Sequence, residues 1–416
     1  MINPCSPLLL ASMIAGQAVS ARPPAAPAEL AVYRAVLMCP GGELPFKLEL
    51  SEDDGPPRAW IVNGPERIEV PKVVRRTGIL VLDFEHYDAL IDAVFEVPAG
   101  GTEVGLRGTY RRRVSKDKWA SLDFAAAPWR GHRFEPLGGG AVGWRPSVAG
   151  RWSIKFNRAE SPSVGQFEQS PNGQVVGTIL NSGGDYRYLE GVYEGGRLRL
   201  SCFDGAFALL FDATMQRDGT LSGDFWSRDA SHDRWTARRD DSAALPDGFS
   251  LTAIRPARLA DLTFPDLDGR PRNLADPAFA GRAMIIEVFG SWCPNCRDAS
   301  ALLRDLDRKY RDRGLRIVGL AFELTGDAER DARQVRRYVR TLGIEYPVLM
   351  GGVADKETAS EALPMLDRLR AYPTTIFLRR DGTVRAVHTG FAGPAAGEEH
   401  QRLRKRFEGV VEELLR

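Results

Sequence analysis

The chain contains no run of about 18 or more apolar residues, which excludes a protein built of membrane-crossing helices. Cysteine is sparse: five in 416 residues are too few for a disulfide scaffold. Neither sign of charge dominates. Fifty-six basic and 55 acidic residues leave a net charge of +1, without the basic excess that a dedicated nucleic-acid binder uses to displace counterions. Histidine is equally scarce. His86, His132, His232, His388 and His400 are scattered, and no second cysteine pair lies near the single C-x-x-C, so no metal site is expected. What is present is an average globular composition, 43% hydrophobic and 27% charged, which excludes wholesale disorder. The length suggests two to four domains.

Residues 7–21 (PLLLASMIAGQAVSA) have the length of a signal-peptide core and end in the small-residue pattern Val19-Ser20-Ala21. A Pro/Ala-rich stretch follows, although no Lys or Arg precedes Arg22. We read 1–21 as a signal peptide and 22–29 as a linker. Export would remove Cys5 and leave Cys39, Cys202, Cys293 and Cys296.

From about residue 30 to 240 the pattern is short alternating runs between Gly, Pro, Asn and Asp, such as 58–62 (RAWIV), 78–82 (GILVL) and 196–200 (GRLRL). Period-two alternation marks half-buried strands, so this region is all-β and antiparallel. An internal repeat runs through it. LVLDFEHYDALIDAVF (80–95) parallels LRLSCFDGAFALLFDATM (198–215), and GTYRRRVSKDKW (108–119) parallels GDFWSRDASHDRW (223–235). Upstream, AWIVNGPERI (59–68) parallels GTILNSGGDYRYL (177–189). Two related β-modules are expected, 30–128 and 148–240, with linkers at 129–147 and 241–252. The pattern leaves open whether they are separate barrels or halves of one sandwich. The glycine run at 138–143 reads as a linker turn, not a phosphate loop.

After about 253 strands and helices alternate, the mark of an α/β fold. Residues 283–289 (AMIIEVF) form a buried strand interrupted only by Glu287. From 296 to 310, apolar residues at 299, 302, 303, 306 and 310 share one helical face. Further strands are expected at 315–322, 346–350, 374–378 and 383–388, and helices at 327–342 and 397–416.

The sharpest motif is Gly290-Ser291-Trp292-Cys293-Pro294-Asn295-Cys296, placed between the buried strand and the amphipathic helix. A free thiol with a pKa near ~8.5 is mostly protonated at neutral pH. Cys293, at the first turn, faces unpaired N–H groups and the positive end of the helix dipole, and both favour the anion. Cys293 is therefore the expected nucleophile, and Cys296 the residue that resolves the mixed disulfide. Pro294 and Asn295 tune the pair, and with Trp292 and Tyr372 form the surface that meets the substrate. Glu287 is either a partly solvated acid at a strand edge or a buried carboxyl that takes the proton of Cys296. Tyr372-Pro373-Thr374 precedes a strand. A cis proline beside the thiols is expected there, with the Tyr372 backbone offered to an extended substrate.

On these residues, 253–416 resembles the thioredoxin-fold disulfide oxidoreductases of the TlpA/ResA type, close to the AhpC/TSA-like redoxins. The matching pieces are FPDLDGRPRNL (264–274), EVFGSWCPNC (287–296), YPTTIFLRRDG (372–382) and FAGPAAGEEH (391–400). The resemblance implies a thioredoxin fold, a redox-active Cys293/Cys296 pair as the only redox group, and a periplasmic setting. It also implies a disulfide-containing protein substrate and a membrane thiol electron donor. Some relatives carry an acid one turn after the second cysteine; here that position is Ala299.

The expected function is that of an exported thiol–disulfide oxidoreductase reducing protein disulfides. Two alternatives are a thiol peroxidase, against which Gly290 stands three residues before Cys293, and a ligand- or partner-binding β-protein with an accessory redox domain. Several residues stay in the background. Cys39 and Cys202 are either a structural pair or buried free thiols. Glu323 is either a rim residue or a solvated loop acid. His388 reads as a surface or core histidine, 402–406 as a solvated helix face, and the Trp and Tyr residues of the β-region as core.

Overall fold

A computed structural model describes residues 30–52, 55–97, 103–137, 147–159 and 161–416. The expected signal peptide 1–21, the linker 22–29 and the glycine run 138–143 lie outside the described residues.

The first nine strands are β1 (Leu30–Cys39), β2 (Gly42–Ser51), β3 (Ala59–Asn63), β4 (Glu66–Glu69), β5 (Lys72–Arg76), β6 (Ile79–Phe84), β7 (Ala89–Glu96), β8 (Gly105–Arg113) and β9 (Trp119–Pro128). They form one antiparallel sheet in the order β4-β3-β2-β1-β9-β8-β7-β6-β5. The first strand thus pairs with the last, and the free edges are β4 and β5, separated by Val70 and Pro71.

The next nine are β10 (Gly150–Phe156), β11 (Ser163–Gln169), β12 (Gln174–Asn181), β13 (Gly184–Asp185), β14 (Leu189–Glu194), β15 (Arg197–Phe203), β16 (Ala208–Met215), β17 (Leu221–Ser227) and β18 (Ser231–Arg239). Here β12 pairs with both β11 and β14, and β18 returns to β10, so eight strands close into a barrel without free edges. Trp152, Trp235, Phe156, Phe211 and Phe225 fill its core.

The two modules are therefore separate sheets, not halves of one sandwich. The segments aligned by sequence fall on the same ordinal strands: β3–β4 against β12–β13, β6–β7 against β15–β16, and β8–β9 against β17–β18. The modules interlock through the turn after β15. Phe203, the last residue of β15, and Ala206 of that turn join the first module's core. Gly205 lies there at φ +94, where a Cβ would stand 2.3 Å from the Phe84 ring, so only glycine fits the approach.

A short hairpin of β19 (Thr263–Pro265) and β20 (Pro271–Asn273) opens the C-terminal domain. Its central sheet comprises β21 (Ala283–Phe289), β22 (Leu315–Glu323), β23 (Val348–Val353), β24 (Thr374–Leu378) and β25 (Val384–Thr389), in the order β23-β22-β21-β24-β25. The first three are parallel; β24 is antiparallel to β21, and β25 is antiparallel to β24. Helices α1 (Pro294–Tyr310), α2 (Ala328–Leu342), α3 (Lys356–Glu361) and α4 (Glu398–Leu415) accompany it. This is the thioredoxin arrangement, with every residue of β21 buried as a covered sheet requires. Two expectations need adjustment. The strand placed at 346–350 starts at Val348, because Pro347 has no N–H for a ladder and Tyr346 turns its phenol inward to Glu287. The short helix α3 has no periodicity long enough to be seen in sequence.

Candidate active site

Pro294 opens α1 at its first position, where a missing N–H breaks no helical bond. Cys293 is the N-cap, and its Sγ accepts the N–H of Cys296 at 3.2 Å. That contact places a sulfur where a helix start best supports negative charge. The Cys293 thiol lies 3.7 Å from the Tyr372 carbonyl, to which it donates, and the Tyr372–Pro373 peptide is cis. Cys293 is 6% exposed and Cys296 fully buried. Burial first, and then the hydrogen bond and charge of Cys293, push the Cys296 thiol up. Both cysteines are free thiols, as are the buried Cys39 and Cys202.

Glu287 is fully buried in the middle of β21. It is not a solvated acid at a strand edge. Its carboxylate accepts the Ser300 hydroxyl at 2.6 Å and the Tyr346 phenol at 2.8 Å. Burial raises its pKa to about 7 despite those two donors. Its charge in turn is the smallest of the named influences raising Cys296.

Sequence reasoning undervalued Glu323, which is neither at the rim nor solvated. It ends β22 at 2% exposure, and its two oxygens accept the N–H and O–H of Ser291 at 2.7 and 2.8 Å. Burial pushes its pKa up to about 8. The Trp292 indole donates to the Phe322 carbonyl at 2.9 Å. Together these bonds tie the loop before Cys293 to the end of β22. The available signal was an acid directly after the apolar run 317–322.

Trp292, Cys293, Pro294, Asn295 and Tyr372 line one cleft of about 410 Å³. Glu287 and Cys296 lie behind it. The β-modules supply its other wall, through Arg112, Asn181, Gly183, Phe207 and Arg228 among others. Arg112 donates to the Trp292 carbonyl across 180 positions of sequence. No local pattern announced these residues. His388 is a core residue packed on Phe249 and Phe407, and burial lowers its pKa to about 4.

Residues 257–387 match the AhpC/TSA family. Among similar proteins, the thiol-disulfide oxidoreductase ResA of Bacillus thuringiensis subsp. konkukian is 24% identical over 119 residues, covering 29% of this chain and 60% of that protein. ResA of Halalkalibacterium halodurans is 27% identical over 142 residues, covering 34% of this chain and 71% of that protein. The chain thus spans about three fifths of the first relative's length. Among solved structures, a thiol:disulfide interchange protein of the thioredoxin family from Chlorobium tepidum TLS is 23% identical, with a TM-score of 0.30, covering 40% of this chain and 99% of that one. Over 257–387 this chain is thus similar to the AhpC/TSA family and to proteins named as thiol-disulfide oxidoreductases.

Proposed function

We propose that the protein is an exported thiol–disulfide oxidoreductase that reduces substrate disulfides through Cys293 and Cys296. The observation that carries this reading is the Cys293 sulfur capping α1, 3.2 Å from the Cys296 N–H, at the wall of an open cleft. Cys293 attacks one sulfur of the substrate, and a mixed disulfide forms as the other half leaves. Cys296, kept protonated by burial until then, attacks Cys293 and releases the second half. Glu287 receives the proton of Cys296. Pro373 holds the Tyr372 backbone beside Cys293, where an extended substrate segment pairs with it. The redox group is the cysteine pair, recharged by a thiol donor at the membrane. The apolar segment 7–21 supports a periplasmic location. Among the described residues no helix is long and apolar enough to cross a membrane.

The test is covalent trapping with reduced protein and an oxidised substrate such as insulin. Cys296→Ser is expected to accumulate a mixed disulfide that disappears on adding dithiothreitol, and Cys293→Ser to form none. A trapped species that persists in Cys293→Ser would remove the assigned roles.

A further inference from the structure

We propose that the cleft over Cys293 selects disulfides flanked by negative charge and presented in extended form. This rests on the exchange reading above and names its substrate class. Two features of the structure carry it: the roof over the thiol and the charge of that roof.

The roof comes first. Cys293 is 6% exposed at the wall of a cleft closed on its other side by the β-modules. A flat face of a folded protein does not reach such a sulfur, whereas a small disulfide or an unfolded segment does. The cleft also shares Asn181, Gly183, Lys356 and Ala371 with an adjoining space of about 650 Å³. The two spaces together make a groove long enough for several residues of chain.

The charge is one-sided. No Asp or Glu lines the cleft over Cys293, whereas Arg112, Arg113, Arg228 and Lys356 do; the adjoining space carries one acid, Glu357, beside Arg368 and Arg370. Only Arg113 is neutralised, by Asp88 at 2.7 Å. Arg112 is 5% exposed, and its two terminal nitrogens donate to the neutral carbonyls of Ala206 and Trp292. Its Nε has no acceptor. Arg228 forms no ion pair and no side-chain hydrogen bond among the described residues, nor does the exposed Lys356. Asp229 follows Arg228 but does not line the cleft; it accepts the Ser121 N–H. Burial first, and then the nearby Arg112, disfavour the Arg228 charge against the opposing pull of Tyr110 and Asp229, an arrangement that an anionic occupant relieves.

The exchange balances with no further reactant in the forward step. The Cys293 thiolate bonds to one substrate sulfur as the substrate S–S bond breaks, and the first half leaves as a thiolate. Cys296 then bonds to Cys293, and the second half leaves. Two electrons pass from the protein dithiol to the substrate. The Cys293 proton goes to solvent on ionisation and the Cys296 proton to Glu287. The two released thiolates take up two protons from solvent and from Glu287, and an external dithiol later reduces the Cys293–Cys296 bond.

Full-length pre-reduced protein, freed of reductant, is mixed with oxidised glutathione (anionic), bis(2-hydroxyethyl) disulfide (neutral) or cystamine (cationic). Each single-turnover rate is divided by the rate of the same disulfide with free dithiothreitol, which removes differences in leaving group. The normalised rate is expected to be about tenfold higher for the anionic than for the neutral disulfide, at the low end of electrostatic steering, and lowest for the cationic one. Added salt should shrink the difference. Arg228→Gln should cut the anionic-to-neutral ratio about threefold, the remainder resting on Arg112 and Lys356, and Arg228→Lys should retain most of it. Equal normalised rates, or a ratio untouched by Arg228→Gln, overturn the charge selection while leaving the exchange chemistry standing. Absence of Cys293-dependent reaction with every disulfide overturns the exchange reading itself. A cystine-bridged acidic peptide separates the two sources of this chemistry. Preference for it over oxidised glutathione marks an extended polypeptide substrate, and the reverse marks a small one.

Discussion

Glu287→Gln is expected to slow the resolving step about 100-fold and, at the same time, to make the protein more stable above neutral pH. The slowing follows from the buried Cys296 thiol, which must lose a proton before it attacks and is pushed up by its surroundings. A positioned base contributes typically about 10²–10⁴-fold to such a transfer. Glu287, with its pKa raised to about 7, is half-ionised near neutral pH and suited to that exchange. Resolution in the wild type should therefore rise between pH 6 and pH 8, as Glu287 ionises, and this rise should be absent in the variant.

The stability effect has the opposite sign. A carboxyl held at about 7 when folded keeps a proton that the unfolded chain releases near pH 4.5. Across that window the folded state binds more protons, so stability falls as pH rises and stays reduced above pH 7. The penalty is on the order of 3 kcal/mol for a fully buried group. Gln has the shape and polarity of the protonated acid and can meet Ser300 and Tyr346, so it escapes the penalty. The measurements are mixed-disulfide decay by rapid quench and denaturant unfolding at pH 5 and pH 8, each compared with wild type. Glu323 titrates with the same sign and is present in both proteins, so it cancels in the difference. Identical pH profiles for decay would dismiss Glu287 as the base, whatever the stability result.

How much of this was legible without coordinates depends on how far each interaction reaches along the chain. The motif from Gly290 to Cys296, the acid inside 283–289 and the Tyr372-Pro373 segment announce themselves because hydrophobic periodicity places them on a strand, at a helix start and before another strand. Alternation in 30–240 likewise gives strands and their order of repeat. It cannot give closure, because the pairing of β10 with β18 joins residues at opposite ends of the module. Glu323 was ambiguous because its partners are the backbone and hydroxyl of Ser291, 32 residues away. Arg112 and Arg228 were invisible as site residues because a charged side chain normally marks solvent. Only the assembled domains turn them inward over Cys293.

The same assembly leads to the second large effect. Arg187→Met is expected to lower stability by about 3–5 kcal/mol at pH 8, and to loosen the β-modules from the redox domain. Arg187 is 3% exposed and joins three bodies. Its guanidinium pairs with Glu66 of the first module, with Asp204 of the second at 3.4 Å, and with Asp298 of α1 at 2.9 Å. Beside it, Asp185 accepts the Arg187 N–H at 2.8 Å and the Gly393 N–H at 2.6 Å. Burial disfavours the Arg187 charge, but the surrounding carboxylates outweigh it and hold the group charged. The acids fare worse. Burial, reinforced by Asp298, raises Asp185 to about 7, and burial raises Glu66 even with its arginine in place.

Removing the one cation leaves these carboxylates buried without a counter-charge, the costly way to break a buried pair. The deficit should shrink at pH 5, where the acids can take up protons and the repulsion lapses. Because Asp298 lies two residues beyond Cys296, Arg187 also fixes the start of α1 against the roof of the cleft. Thermal unfolding at both pH values and limited proteolysis in the mostly exposed stretch 241–246, ahead of the Phe249 contacts with the redox domain, measure the two consequences. A deficit below about 1 kcal/mol, or one of equal size at pH 5 and pH 8, would mean that packing, and not this charge cluster, holds the redox domain to the modules.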